Sequence, residues 1–267
     1  GNSIASGGNY NVVVGDEAGT AITTGDNNVA IGYKSLEDNT TGSNNTALGY
    51  SALEANTTAD DNVAVGYKAL EINTTGASNT ALGRQALQAN TTAANNTAVG
   101  TSALYANTTG TNNVAVGKDA GLSITTAQGN SILGTLAGDA LTTGGDNVAV
   151  GYKALTASTT GTGNTAVGKD ALEANTTASN NTAIGFKTLE ANTTGINNTV
   201  LGAYAGDANT TGHYNVALGT LSLSANTTAD SNTAVGYAAL TANITGASNV
   251  AVGASALVAN TTASNNT

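Results

Sequence analysis

The chain contains a single histidine, His213, and no cysteine. Catalysis of the Ser-His-Asp or Cys-His type needs a base beside the nucleophile, and His213 lies next to Tyr214 in a predicted turn, where a lone histidine is more often incidental than catalytic. The absence of cysteine excludes disulfides and thiolate metal sites. We therefore expect no enzyme activity, no metal site and no cofactor.

Three glutamates stand at 17-residue intervals, at Glu37, Glu54 and Glu71. Stacking of such a repeat would bring neighbours to about 5 Å, the carboxyl separation of retaining glycosidases. However, Lys34 and Lys68 stand three positions before a glutamate and moderate the repulsion, and a flat repeat surface offers no pocket for a substrate. We interpret the glutamates as a solvated charged face.

Residues 163–169 match most of a phosphate-binding loop. The next residue is Asp170, so the hydroxyl that binds magnesium in such loops is missing. The same segment recurs along the chain as ordinary repeat sequence, and the Gly-Gly-x-Gly-x-Asp pattern of calcium-binding repeats is absent. Neither phosphate nor calcium binding is predicted.

All of these residues belong to a 17-residue tandem repeat. A glycine recurs at this interval from Gly15 to Gly253 without insertion or deletion, with an asparagine four residues before it and a threonine nine residues after it. We number the repeat from the asparagine, so the glycine is position 5 and the threonine position 14. The columns used below include the corner glycines Gly32, Gly49, Gly66, Gly83, Gly100 and Gly117, and the asparagines Asn28, Asn45, Asn62, Asn79, Asn96 and Asn113.

The repeat is too short for a pair of helices, and its Gly, Asn and Thr are poor helix formers. Residues 63–65 (Val-Ala-Val) are typical of the short strand before each glycine, and the Asn-Thr-Thr-Gly stretch supplies a turn. One repeat is therefore one coil. The sequence predicts an all-β protein, a parallel β-solenoid or β-roll of about 15 coils, with strands about 4.8 Å apart.

Each column has an expected physical role. The corner glycine should adopt a positive φ or allow close approach of the backbone, and stacked asparagines should form an amide ladder. The aliphatic residue before the glycine and the leucine four positions after it should fill the lumen, around a column of alanines. The predicted core therefore includes Leu36, Leu53, Leu70, Val65 and Val99.

Four coils replace that leucine by glycine, at Gly19, Gly121, Gly138 and Gly206. In three of them position 12 becomes apolar, as Ile22, Ile124 and Leu141, which would resupply the lost core side chain.

The strand pattern Val-Ala-Val is apolar on both faces because side chains alternate along a strand. The alanine face suits either close packing between protomers or a tight lumen with valine outside. Either arrangement leaves a shared apolar face, which predicts self-association, most simply as a homotrimer.

Residues 1–10 fit the repeat poorly and are predicted to be an irregular lead-in, whereas residues 11–267 form a single tandem-repeat solenoid. No capping element is evident, so we interpret the sequence as part of a longer fibre or as a subunit that stacks end to end. The net charge of -10 argues against nucleic acid as a partner, and no apolar run approaches the roughly 18 residues of a membrane span.

Residues 28–32 (Asn-Val-Ala-Ile-Gly) resemble the Asn-Ser-Val-Ala-Ile-Gly repeat of trimeric autotransporter adhesin heads. The longer pattern Asn-Thr-Ala-Val-Gly-Tyr-x-Ala-Leu-x-x-Asn-Thr-Thr-Gly is similar to repeats of bacterial surface proteins and phage tail fibres. The resemblance covers nearly the whole chain, although the adhesin-head unit is shorter. It implies a left-handed roll, a homotrimer, a glycan or host-surface ligand, and an extracellular location on a bacterial surface or a virion.

The predicted function is therefore an extracellular structural or adhesive fibre segment, a shaft or an adhesin head. The columns predicted to face outward and to offer binding surfaces are Tyr33, Tyr50 and Tyr67, which could stack on sugars, and Thr41, Thr58 and Thr75. Ice binding is one alternative, because Asn39-x-Thr41 and its equivalents would place two polar columns about 7 Å apart on one face. A filament in which chains stack coil on coil is another.

Overall fold

The computed structural model describes residues 8–267, and residues 1–7 of the predicted lead-in lie outside the described residues. Within the described part, every regular element is a strand of three residues. The chain forms two compact units, Gly1–Asn130 and Ser131–Thr267.

Within residues 8–130, the first unit has seven strands that pair in parallel and in chain order. Each residue pairs with the residue one repeat further on, as Ala30 does with Ala47. Strands β1 to β7 are Val12–Val14, Val29–Ile31, Thr46–Leu48, Val63–Val65, Thr80–Leu82, Thr97–Val99 and Val114–Val116.

The second unit holds eight strands with the same parallel pairing, as Ala166 with Ala183. Strands β8 to β15 are Ser131–Leu133, Val148–Val150, Thr165–Val167, Thr182–Ile184, Thr199–Leu201, Val216–Leu218, Thr233–Val235 and Val250–Val252. The prediction of an all-β parallel β-solenoid of about 15 coils, with 17 residues per coil, is confirmed. Its handedness stays a prediction.

After each strand, the chain changes direction at residues that have a positive φ. In the coil that begins at Asn62, Gly66 has a φ of 137°, Lys68 of 56° and Leu70 of 51°. A Cβ atom on Gly66 would lie 2.6 Å from the carbonyl oxygen of Gly83 in the next coil. The corner therefore needs glycine both for its φ and for the close approach of two backbones.

The lumen is filled by small and medium aliphatic side chains at positions 3, 8 and 9. Ala64, Ala69 and Leu70 are all fully buried, and the predicted core residues Leu36 and Leu53 are buried in the same way.

The prediction that Val65 and Val99 belong to this core was wrong. Both side chains are half-buried, whereas Ala64 and Ala98, their neighbours along the strand, are fully buried. Since side chains alternate along a strand, an inward alanine sends the adjacent aliphatic residues outward. Of the two arrangements left open by the sequence, the structure has the tight lumen with valine outside.

Coils with glycine at position 9 are filled in two ways. Ile22, Ile124 and Leu141 are fully buried, as the sequence predicts. A second substitution, at position 3, was not predicted: larger residues replace alanine there in three of the four coils, as Val13, Ile132 and Val200. In the coil that lacks an apolar position 12, a Cβ on Gly206 would lie 3.6 Å from Cγ1 of Val200, so that valine occupies the vacated space.

Residues 8–10, which were predicted to belong to an irregular lead-in, follow the repeat. Asn9 accepts a hydrogen bond of 3.0 Å from the backbone N–H of Asn27. Its own N–H donates to Oδ1 of Asp26 at 2.6 Å. Tyr10 has a φ of 58°, as Asn27 has one coil later. These residues therefore occupy positions 15 to 17 of a coil.

Candidate functional site

The position-1 asparagines form the predicted ladder inside the coils. Oδ1 of Asn28 accepts a hydrogen bond of 2.9 Å from the backbone N–H of Asn45. Nδ2 of Asn28 donates to the carbonyl oxygen of Gly42 at 2.9 Å. The ladder thus links side chain to backbone, and all six of the asparagines named from the sequence are buried. Their role is structural.

A second buried asparagine ladder runs along position 12. Nδ2 of Asn56 donates to Oδ1 of Asn39 at 2.8 Å, and Nδ2 of Asn73 donates to Oδ1 of Asn56 at 3.0 Å. This ladder was not predicted, because the Asn-x-Thr spacing suggested that Asn39 faces outward together with Thr41. The apolar residues found at position 12 in other coils were the available signal, since an isoleucine substitutes most readily for an inward side chain.

The burial of Asn39 removes one of the two columns on which the ice-binding alternative depends. Thr41 is exposed, but Asn39 is fully buried, so the two do not share an outer face. The threonine between them is also engaged, because Oγ1 of Thr40 donates to the carbonyl oxygen of Thr57 at 3.0 Å. One exposed threonine column remains, which includes the predicted residues Thr41, Thr58 and Thr75.

All seven basic residues of the chain occupy positions 6 or 7, beside the glutamates of position 10. Nζ of Lys34 lies 3.1 Å from a carboxylate oxygen of Glu37, 3.5 Å from one of Glu17 and 3.8 Å from one of Glu54. The hydrogen bond with Glu37 is the main cause that raises the pKa of Lys34. This pairing fits the interpretation of the glutamates as a charged surface.

The other glutamates of the column have partners of the same kind. Nζ of Lys68 lies 2.7 Å from Glu71, and this hydrogen bond raises the pKa of Lys68. Nζ of Lys187 lies 2.7 Å from Glu190. Ion pairs at a protein surface stabilise a protein by about 0 to 1 kcal/mol each.

Tyr33, Tyr50 and Tyr67 stack on one another at position 6. The ring centroids of Tyr33 and Tyr50 are 5.2 Å apart, and those of Tyr50 and Tyr67 are 5.3 Å apart. The guanidinium of Arg84 lies 5.8 Å from the ring centroid of Tyr67 and continues the stack. The faces of the Tyr50 ring are thus covered by its neighbours, which leaves ring edges and hydroxyl groups, rather than faces, towards a sugar.

His213 and residues 163–169, which match most of a phosphate-binding loop, both have structural roles within the repeat. Nδ1 of His213 accepts a hydrogen bond of 3.0 Å from the backbone N–H of Ile196, and the N–H of His213 donates to Oδ1 of Asp230 at 2.7 Å. The segment that resembles a phosphate-binding loop contains strand Thr165–Val167, in which Ala166 is fully buried. An extended strand with a buried centre cannot wrap around a phosphate.

The outward aliphatic residues of position 4 form the remaining column. Every coil carries Val, Ile or Leu there; Leu48, for example, is 44% exposed and Leu133 is 50% exposed. The other outward residue of each strand, at position 2, is Val, Thr or Ser. Each unit therefore presents a largely apolar strand face to the outside.

No known protein-family model matches the chain, and no curated protein matches its sequence. Within residues 8–267, no cluster of three or more His, Asp or Glu has a metal-binding arrangement, and no pocket is found. The same residues include no helix with the length and apolar character needed to cross a membrane.

A comparison of the coils shows which outward column keeps one residue type throughout. Position 6 varies among Asp, Tyr, Phe, Arg, Lys, Thr and Ala, as expected for an outward column that no other surface covers. Position 4 is equally outward, yet it is aliphatic in all coils. Contiguous exposed apolar surface of this kind is typical of protein–protein contact sites. The position-4 column is therefore the candidate functional site.

Proposed function

We propose that the chain is a structural segment of an extracellular fibre, a shaft or an adhesin head, whose copies associate side by side through the position-4 column. The repeat β-solenoid is compatible with a structural or fibre role. The observation that carries the proposal is the aliphatic side chain at position 4 of every coil, on the outer face of the strands. We assign the chain no catalytic activity and no cofactor.

The physical argument is the cost of leaving this face in water. Burying apolar surface stabilises an assembly by about 25 cal/mol per Å², and the position-4 side chains present it as an unbroken column in each unit. Val and Thr at position 2 flank the column with small β-branched side chains, which allow two such faces to approach closely. Association with further copies removes the column from water.

The number of copies and the location come from the resemblance to adhesin heads and tail fibres. It favours a homotrimer on a bacterial surface or a virion. A glycan or host-surface ligand belongs to the same proposal. Such a ligand would contact outward side chains other than the covered faces of the stacked tyrosines.

The test is the molar mass of the purified chain by light scattering on a sizing column. We expect a mass of three protomers for the unmodified chain and of one protomer for the double variant Leu48→Lys, Leu82→Lys, because lysine on this face opposes its burial. The matched control is Thr58→Lys, Thr92→Lys, in the same two coils but on the threonine face, and it should remain a trimer. Circular dichroism verifies that all three proteins are folded.

Three results would count against all or part of the proposal. An unmodified chain that stays monomeric at high concentration would overturn self-association altogether. A lysine double variant that keeps the mass of the unmodified chain would show that copies associate through another surface. A mass of two protomers would retain the side-by-side contact and overturn the trimer.

A further inference from the structure

The tyrosine stack in the first unit places three oxidisable phenols in contact on successive coils. The ring planes of Tyr33 and Tyr50 are inclined by 36°, and those of Tyr50 and Tyr67 by 19°, at the centroid separations given above. The three side chains are 37%, 46% and 44% exposed. Reagents in solution can therefore reach phenols that already touch one another.

The backbone holds these rings in place from coil to coil. The carbonyl oxygen of Tyr33 accepts a hydrogen bond of 2.9 Å from the N–H of Ser51, and that of Tyr50 accepts one of 2.9 Å from Lys68. Each bond joins the backbone of one tyrosine to the residue directly after the next tyrosine. Neighbouring phenols thus stay together without any movement of the coils, which gives a reaction between them the advantage of an intramolecular step.

We propose that Tyr33, Tyr50 and Tyr67 form a modification site at which an oxidant of the heme peroxidase and hydrogen peroxide class links two adjacent phenols as dityrosine. Each phenol loses one electron and one proton to become a phenoxyl radical. The two radicals then join through a new carbon–carbon bond between ring positions ortho to the hydroxyl groups, and the ortho hydrogens move to the oxygens. Overall, two phenols and one hydrogen peroxide give one dityrosine and two waters.

The consequence is a covalent bond between successive coils of one chain. A solenoid unravels by the separation of adjacent coils, because each coil contacts only its neighbours. A cross-link from Tyr33 to Tyr50, or from Tyr50 to Tyr67, opposes that separation. The inference concerns contacts within one chain, so it stands or falls independently of the side-by-side association proposed above.

The other tyrosines at position 6 provide an internal comparison. Tyr237 is 59% exposed, more than any ring of the stack. Its neighbours one coil away at position 6 are Thr220 and Ala254, so it has no phenol beside it in that column. Exposure alone therefore predicts that Tyr237 reacts more readily than the three stacked tyrosines, whereas the stacking geometry predicts preferential intrachain coupling at Tyr33, Tyr50 and Tyr67.

The dilute full chain is treated with a heme peroxidase and hydrogen peroxide. Protein that keeps the covalent mass of one chain is then isolated and digested with trypsin. Cleavage after Lys34 and Lys68 places Tyr33 in peptide 1–34 and both Tyr50 and Tyr67 in peptide 35–68. We expect dityrosine fluorescence. A link from Tyr33 to Tyr50 joins peptides 1–34 and 35–68 with the loss of two hydrogens, and a link from Tyr50 to Tyr67 lies within peptide 35–68 and lowers its mass by two hydrogens. Fragment spectra assign each link to its two tyrosines.

The variant Tyr50→Phe keeps a ring in the stack but cannot form the phenoxyl radical, and it leaves Tyr33 and Tyr67 two coils apart. Its intrachain dityrosine should fall to background, whereas Tyr237→Phe should leave the yield unchanged. The inference is overturned if the unmodified chain forms no intrachain dityrosine, if Tyr50→Phe retains it, or if links through Tyr10, Tyr214 or Tyr237 are as abundant as links within the stack.

Discussion

Asn28 and Asn45 are joined by a hydrogen bond of 2.9 Å in which the side chain of the first accepts from the backbone N–H of the second. Both residues are fully buried, so the bond satisfies a backbone donor that water cannot reach. The same contact recurs between Asn45 and Asn62 at 3.0 Å. Each asparagine thus determines the position of the next coil.

Asn45→Ala should therefore destabilise the protein by about 1 to 3 kcal/mol, the cost of leaving a buried donor unsatisfied. The orphaned donor is the N–H of Asn62, whereas the carbonyl of Ala59 keeps its hydrogen bond from Nδ2 of Asn56. The urea midpoint measures the change. Thr58→Ala, an exposed substitution in the same coil, is the control and should shift stability by less than about 0.5 kcal/mol. Equal effects of the two substitutions would contradict a structural role for the ladder.

Gly66→Ala should cost about 3 kcal/mol or more, because alanine must accept a φ of 137° and its Cβ meets the carbonyl oxygen of Gly83 at 2.6 Å. Gly253→Ala separates the two causes. Gly253 has a φ of 128°, but no atom lies within 4 Å of its Cβ position. Thermal unfolding should show the larger loss for Gly66→Ala. Equal losses would mean that backbone strain alone selects glycine at the corner.

The fold was predictable because the repeat has no insertion or deletion. A constant interval aligns Asn28 with Asn45 and Leu36 with Leu53, so the ladder and the leucine core follow from the alignment of coils alone. The side of the strand that faces the lumen does not follow in the same way. Val65 and Ala64 are both apolar, and hydrophobicity cannot decide between them; only the small volume of the lumen selects alanine.

Two further features escaped prediction although the sequence carries signs of them. Asn39 has a polar side chain that propensity assigns to a turn, but Ile124 at the equivalent position indicates an inward column. Leu70 has a φ of 51°, unusual for a leucine, and Gly121 at the equivalent position is the sign of a left-handed conformation. The exchange between leucine and glycine therefore indicates a backbone conformation as well as a change in core volume.

Val200 and Gly206 test how the lumen is filled. Val200→Ala should destabilise the protein by about 2 kcal/mol because it opens a cavity beside Gly206. Gly206→Leu should also destabilise it, by about 1 to 3 kcal/mol, because the Cβ position lies 3.2 Å from Cδ2 of Leu189 and 3.6 Å from Cγ1 of Val200.

The double variant restores the alanine and leucine found together in most coils and should approach the stability of the unmodified chain. A double-mutant cycle of urea midpoints measures this compensation as an interaction energy of at least about 2 kcal/mol. Additive losses would contradict the view that Val200 replaces the missing leucine.

Asp207 occupies position 10 of its coil, and burial is the main cause that raises its pKa. A pKa higher in the folded than in the unfolded chain means that folding favours the protonated carboxyl group. Its contribution to stability is present below the unfolded pKa and is lost as the pH rises through the folded pKa. Asp207→Asn, which is neutral at every pH, should therefore be more stable than the unmodified chain near pH 7.

That advantage should disappear at low pH, where Asp207 itself is protonated. Urea midpoints of both proteins from about pH 3 to 7 measure the difference, and about pH 4 is where an ordinary aspartate titrates. Ser224→Asn, at the same position one coil later, is the control, because neither residue titrates and any effect should be independent of pH. If Asp207→Asn were less stable than the unmodified chain at neutral pH, the charged carboxylate would stabilise the fold in spite of its partial burial, which would contradict the prediction.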